Sequence, residues 1–193
     1  MKAKPKVLGD PEVRAKILST AARLFHTHGY HATGINELIA EAGVAKRSLY
    51  KHFESKTDIL KAYLETYQEQ LYQDITEYLQ KFSDPRERLL ALFDFRIRNQ
   101  IRIGYLGCPF AKINAEAGYD DREINKLAQA SQSKLKAGIG RLVSAANSKK
   151  QLSDEELSSL VFLLMEGGLL SAAIEKNTIQ LQKAKALVHG LLF

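Results

Sequence analysis

Three observations predict an all-α chain of about nine helices. Apolar residues recur at i, i+3, i+4 and i+7 wherever a period is readable, and no stretch shows the alternation that a strand needs. Helix-start signals recur along the chain: Asp10-Pro11, Ser55 three residues before Asp58, Asp84-Pro85, and Ser153 three residues before Glu156. At 193 residues the chain can bury a core as one large domain or as a small domain plus a larger one. The order of the helices divides it into residues 1–56 and 57–193.

Met1 to Gly9 has three lysines and no period, and reads as a mobile, solvated arm able to touch phosphate. Asp10-Pro11-Glu12 then starts a helix, with Asp as N-cap, Pro at N1 and an acid beside the positive dipole end. This helix buries Val13, Ile17, Ala21, Leu24 and Phe25 and ends at Gly29. Thr33 is the natural N-cap of the second helix, whose Ile35, Leu38, Ile39 and Ala42 share one face, with Glu37 in its opening turns. Gly43 ends it, because a residue without Cβ enters the left-handed C′ conformation freely. The third helix, roughly Lys46 to His52, turns Leu49 and Phe53 inward and leaves Lys46, Arg47, Ser48, Lys51 and His52 pointing out. A short helix, a glycine turn and a second helix with a basic, hydrogen-bonding outer face make a helix-turn-helix, with the first helix packed across it.

Ser55 to Asp58 opens a long fourth helix running to about Phe82, with Ile59, Tyr63, Leu64, Tyr67, Leu71, Tyr78 and Leu79 along its apolar stripe. At 1.5 Å per residue it is a rod of ~40 Å joining the two parts without a flexible linker. Asp84-Pro85 caps the fifth helix, which carries Leu89, Leu90, Phe93, Ile97 and Ile101, ends near Gly104 and is rich in arginine at Arg96, Arg98 and Arg102. Arg96 and Arg98 alternate with large apolar residues, so one facing inward would bind an anionic effector; a solvated or salt-bridged arginine is the plainer account. A turn-rich break leads to a short helix from Pro109 to Ala117, ended by Gly118. Asp120 to Glu123 caps a long helix to about Asn147, with Ile124, Leu127, Leu135, Ile139, Leu142 and Val143 inward. Ser153 to Glu156 is a complete capping box for the next helix, to about Lys176, and Thr178 begins the last, with Ile179, Leu181, Ala184, Leu187, Val188 and Leu191.

The net charge of +6 favours an anionic partner. Residues 1–60 hold ten Lys/Arg against six Asp/Glu, so +4 of the +6 lies in the first third. Four of the five histidines, His26, His28, His31 and His52, fall there too, so its charge should grow as pH falls through their titration. His26 and His28 stand two apart and do not face each other on a helix, and no acid or cysteine sits nearby, so neither a metal nor a cofactor is expected. A single cysteine, Cys108, rules out an intramolecular disulfide and fits a reducing cytoplasm. No signal peptide is evident, and the most apolar window, Leu160 to Ile174, is broken by Glu166 and shorter than the ~20 residues of a spanning helix, so no membrane is expected.

The run Phe25, Gly29-Tyr30, Thr33, Ile39-Ala40, Ala42-Gly43-Val44, Leu49-Tyr50, His52-Phe53 and Lys56 resembles the N-terminal DNA-binding domain of TetR-type transcriptional regulators. The resemblance implies that Lys46, Arg47 and Ser48 read base edges while Thr33, Tyr50, His52 and Lys56 hold phosphates of an operator duplex. Two departures stand out: Ala45, where the family often has a capping serine, and Arg47, where it often has a small residue. Beyond this third, only length and helical layout are similar to the family. The segment Gly107-Cys-Pro-Phe110 with Asn114 and Glu116 is similar to one that borders the effector cavity in some members. Tyr63, Tyr67, Phe93, Arg96, Tyr105, Cys108, Phe110 and Asn114 are therefore the candidates to line a small-molecule pocket, with core packing as the alternative for the aromatic ones. Cys108 sits where a helix dipole can depress a thiol pKa; otherwise it is a small buried hydrophobe.

The two terminal helices carry more apolar surface than one small domain can cover, and such a patch normally marks a subunit interface. Family resemblance implies a homodimer through a four-helix bundle, with Leu163, Gly167, Leu170, Ile174, Leu181 and Leu187 in the contact. The reading is thus a ligand-responsive repressor, not an enzyme, since Cys108, Asn114, Glu116 and a distant histidine are too scattered for a nucleophile triad. The alternative is a non-specific, architectural DNA-binding protein without an effector.

Overall fold

The computed structural model describes residues 10–117, 122–147 and 152–193, and the expected basic arm and the expected stops and caps at Gly118, Asp120 and Asp121 lie outside them. Among the described residues there are nine helices and no strand: α1 Pro11–Thr27, α2 Ile35–Ala42, α3 Lys46–His52, α4 Lys56–Leu79, α5 Pro85–Arg102, α6 Pro109–Ala117, α7 Arg122–Ala146, α8 Asp154–Glu175 and α9 Ile179–Leu192. Several caps act as their side chains dictate. Asp10 accepts from the Glu12 N–H, Asp84 from those of Arg86 and Glu87, and Ser153 and Glu156 close a reciprocal box.

The chain forms two compact units rather than parts divided at residue 56. The first ends at Tyr67 and takes in Lys112–Leu127; the second comprises Gln68–Ala111 and Ala128–Phe193. Helices α4, α6 and α7 each have residues in both units.

In the first unit α1, α2 and α3 pack on one another around Ile17, Ala21, Leu24, Phe25, Leu38 and Leu49, all almost fully buried. Phe25 meets Tyr30 edge-on, with centroids 5.4 Å apart, and Tyr63 at 6.2 Å, so α4 is held to α1 by an aromatic cluster. Lys61 of α4 pairs with Glu123 of α7.

In the second unit α5 is central, packing on α8 and α9, which pack on each other. Its Leu89, Leu92 and Phe93 join Ile75 and Leu79 of α4, Ile139 and Val143 of α7, Val161, Met165 and Leu169 of α8, and Leu181, Ala184 and Val188 of α9 in one core. Ile101, expected on the buried stripe, is exposed, because the stripe ends one turn earlier. Lys185 places its ammonium 2.7 Å from both carboxylate oxygens of Asp94, fixing α9 against α5.

At 22 residues, α8 is longer than its apolar window and, by length and composition alone, apolar enough to cross a membrane. Its two sides explain the hydropathy differently. Leu157, Val161, Met165, Leu169 and Ala172 face the core, whereas Leu163, Leu170 and Ile174 are 66, 64 and 72% exposed.

Candidate nucleic-acid interface

α3 is built to present a surface. Ala45 has no side chain to cap it, so the helix starts on backbone alone: the Ala45 carbonyl accepts from Ser48 N–H at 2.8 Å and from Leu49 N–H at 3.1 Å. The departure at this position therefore leaves the helix start intact. Gly43 takes the left-handed turn at φ 62°, with its N–H directed to the carbonyls of Ala40 and Ile39. Leu49 is fully buried and Phe53 nearly so, which anchors the inner face, while Arg14 of α1 lies over the Phe53 ring at 5.4 Å. On the outer face Lys46, Arg47 and Lys51 are exposed, Tyr50 is 45% exposed, and Ser48 and His52 are half-buried. An ion pair of 2.6 Å between Arg23 and Glu41 links α1 to α2.

Two residues expected at the phosphates are turned elsewhere. Thr33 is fully buried and its hydroxyl donates to the Gly29 carbonyl at 2.7 Å; Gly34, not Thr33, is the N-cap of α2, with the Glu37 carboxylate accepting its N–H. Thr33 thus has no surface with which to meet a phosphate. The Lys56 ammonium donates to the carbonyls of Tyr30 at 2.9 Å and Thr33 at 3.0 Å and lies 4.3 Å from the centroid of the Tyr30 ring. Burial lowers its pKa, opposed by the nearby Glu116 carboxylate. Lys56 therefore holds the entry to α2 in place instead of reaching outward.

A further support was not legible from the sequence. Glu116 of α6 accepts the backbone N–H of Tyr30 at 2.6 Å and of His31 at 3.4 Å, and Lys112 donates to the His26 carbonyl at 2.7 Å. Gly29 lies at φ +97°, and a Cβ there would come within 2.8 Å of the Glu116 carboxylate, so two separate demands fix a glycine. His26 is affected as well: burial, aided by the charge of Lys112, lowers its pKa to about 4. It therefore drops out of the group of histidines expected to add charge near neutrality.

Of the candidate pocket residues, Tyr63, Tyr67 and Asn114 belong to the first unit and Phe93, Arg96, Tyr105, Cys108 and Phe110 to the second. Tyr63 is buried in the core of the first unit, packed against Phe25 and Tyr67, and Asn114 is exposed on α6. Phe93 has no accessible surface, so it lines no cavity wide enough for a water molecule and belongs to the core. Tyr105 is half-buried at φ 57°, a strained backbone for a non-glycine residue, and Phe110 is buried. Burial pushes the Cys108 thiol up, outweighing the opposing charge of Arg96 and the N–H groups of Ala111 and Phe110, which favours the small buried hydrophobe over activation by the helix start. Arg96 is buried. The second unit also has a surface groove of about 250 Å³ lined by Tyr78, Phe95, Arg98 and Arg102 among others, so Arg98, the alternative to Arg96 for an anionic effector, stands in it.

Residues 17–63 match the model of the bacterial regulatory proteins of the tetR family, and that segment holds α2, the glycine turn and α3. The HTH-type transcriptional regulator LmrA of Bacillus subtilis is 26% identical over 93% of this chain and 96% of its own. Over residues 17–63 the chain carries the N-terminal domain of the TetR family. The HTH-type transcriptional activator FasR of Mycolicibacterium smegmatis is 38% identical over 44% of this chain and 40% of its own. The TetR-family regulator SCO4454 of Streptomyces coelicolor shares the fold at a TM-score of 0.86, with 22% identity over 94% of this chain and 88% of that one. The protein is accordingly a DNA-binding transcriptional regulator of TetR type.

Proposed function

We propose that the protein is a ligand-responsive repressor that binds a near-palindromic operator as a homodimer and is released by a small molecule. One observation carries the DNA half of this reading: Lys46, Arg47 and Tyr50 stand exposed on a helix whose opposite face is locked by the fully buried Leu49. Lys46, Arg47 and Ser48 read base edges, and Arg47 has the fork that matches the two acceptors of guanine in the major groove. Tyr50 and His52 contact phosphates, which set affinity and salt dependence rather than sequence preference. A dimer presents two such helices about 34–36 Å apart, one turn of DNA.

The dimer face is the exposed stripe of α8, Leu163, Gly167, Leu170 and Ile174, joined by Leu187 of α9. Leu181 leaves this list: it is fully buried within its own chain, packed so closely on Gly168 that a Cβ there would lie 2.7 Å from Leu181 Cδ2. The effector acts from the second unit. Its binding energy selects a conformer whose recognition helices no longer match the operator spacing, limited by its differential affinity for the two conformers. The continuous helix α4 supports this reading as a rigid route. The protein works in the cytoplasm, where the DNA is.

Selection from a library of random duplexes, followed by footprinting of the winner, tests the proposal. One protected near-palindrome with two half-sites is expected. Protection without a consensus favours the architectural reading. A reporter fused to the selected operator decides the sense of control, which the activator FasR shows is not uniform among relatives.

A further inference from the structure

Three polar side chains of α5, Arg96, Asn99 and Gln100, are buried in the second unit. Two have partners. The Asn99 side-chain Oδ1 accepts from the Arg102 guanidinium at 2.8 Å, and the Gln100 amide clasps the loop ahead of α6, accepting the Gly107 N–H at 3.1 Å and donating to its carbonyl at 3.4 Å. Arg96 differs. It is 4% exposed, its Nε has no hydrogen-bond partner, and no carboxylate lies within salt-bridge distance among the described residues. Burying a permanent charge without a counter-charge is unfavourable, and a native structure keeps such a group where something else supplies the partner.

No carboxylate within salt-bridge distance supplies it among the described residues. The carboxylate that feels Arg96, Glu166 of α8, is pushed up by burial, toward its uncharged form, although Arg96 and Lys136 oppose this. Burial likewise raises Tyr72 and Cys108 against the pull of Arg96, so neither offers an anion near neutral pH. The flanking residues one turn back, Leu92 and Phe93, are apolar and buried. A buried guanidinium whose Nε donor is unmet, flanked on its own helix by apolar residues, fits one planar anion with an apolar body.

We infer that Arg96 is the recognition point for a small apolar carboxylate, whose charge the Arg96 guanidinium pairs inside the second unit. This deepens the effector reading proposed above and rests on it, naming the chemical class of the effector. The same logic makes Arg96 unfavourable to the ligand-free fold, because stability is given up at a site kept for binding.

The test uses the full-length protein and two matched series: straight-chain and aryl carboxylates, hexanoate to dodecanoate and 2-naphthoate, and their neutral primary amides. Thermal melts and equilibrium dialysis should show at least one carboxylate raising Tm and binding tenfold or more tighter than its amide. In Arg96→Met the preference should fall to within twofold, and the ligand-free protein should melt higher than wild type. Arg96→Lys, which keeps the charge and loses the fork, should retain part of the preference. If no carboxylate exceeds its amide on the wild-type protein, or if Arg96→Met keeps the preference or melts lower without ligand, the assignment is overturned. DNA plays no part in these readouts, so failure to find an operator would strike the regulator reading and leave this result intact.

Discussion

The Glu116 carboxylate on α6 accepts the backbone N–H of Tyr30 at 2.6 Å, across 86 residues of sequence. That bond closes the loop between α1 and α2 from outside the helix-turn-helix, and Lys112 one turn earlier closes it again at the His26 carbonyl. Glu116→Ala leaves a half-buried N–H unpaired and should lower unfolding free energy by about 1–3 kcal/mol. Urea melts give the loss, and faster amide exchange at Tyr30 and His31 locates it. Glu116→Gln, which keeps one acceptor, should recover part of it. If Glu116→Ala leaves Tyr30 exchange unchanged, this bond is not what holds the loop.

His26 gives the fold an acid-sensitive point. Its folded pKa of about 4 lies below the ordinary 6.5 because burial and Lys112 disfavour the cation, so as pH falls the unfolded chain takes up the proton first. The stabilisation from the neutral ring is whole above about pH 6.5 and is lost as pH drops from there toward 4. Allowing for the part of the ring that stays wet, the loss is on the order of 1–2 kcal/mol by pH 5. His26→Gln should lose correspondingly less stability between pH 7 and 5 than wild type in paired denaturation curves. Parallel curves for the two proteins would remove His26 as the cause.

Arg47 and Lys56 should part company when each is replaced by alanine. Arg47 is exposed and free to reach a base, so Arg47→Ala should weaken the selected operator by about 1–3 kcal/mol while hardly changing random DNA or the melting temperature. Lys56 is spent on two carbonyls and a ring, so Lys56→Ala should lower stability by about 1–3 kcal/mol and weaken all DNA alike, with the salt slope unchanged. Titrations at two salt concentrations separate these outcomes. A flatter salt slope in Lys56→Ala would restore the residue to the phosphate contacts.

What the sequence told correctly is local. Asp10, Asp84, Ser153 and Gly43 act within four residues of themselves, so their types mark helix ends, and the buried Leu49 opposite Arg47 follows from helical spacing alone. The misreadings concern partners brought from far away. Thr33 has the composition of an N-cap, but its hydroxyl turns back to Gly29 and the task passes to Gly34. Lys56 is a basic residue beside a DNA-binding helix, and nothing near it in sequence says that the carbonyls of Tyr30 and Thr33 will claim its ammonium. Periodicity gave α9 an apolar face but not its neighbour, so Leu181 and Leu187 looked alike although one packs on Gly168 and the other is 61% exposed.

The exposed stripe on α8 provides the last prediction. Leu163, Gly167, Leu170 and Ile174 follow one another at four, three and four residues and so lie on a single helix face. Gly167 would meet nothing within 4 Å of an added Cβ, so among the described residues no neighbour in its own chain requires a glycine there; close approach by a second helix would. Large apolar side chains this exposed are unfavourable to solubility unless covered, and burying three of them contributes roughly 1.5–3 kcal/mol each. Leu170→Glu together with Ile174→Lys should convert the proposed dimer to monomer in sedimentation runs at micromolar concentration, with helix content and the folding of each unit preserved by circular dichroism. Operator affinity should fall by at least two orders of magnitude, because each half-site then binds alone and the second contact is no longer intramolecular. Binding to an isolated half-site should stay within about threefold of wild type, since α3 is untouched. A double variant that remains dimeric would place the subunit contact on some other face.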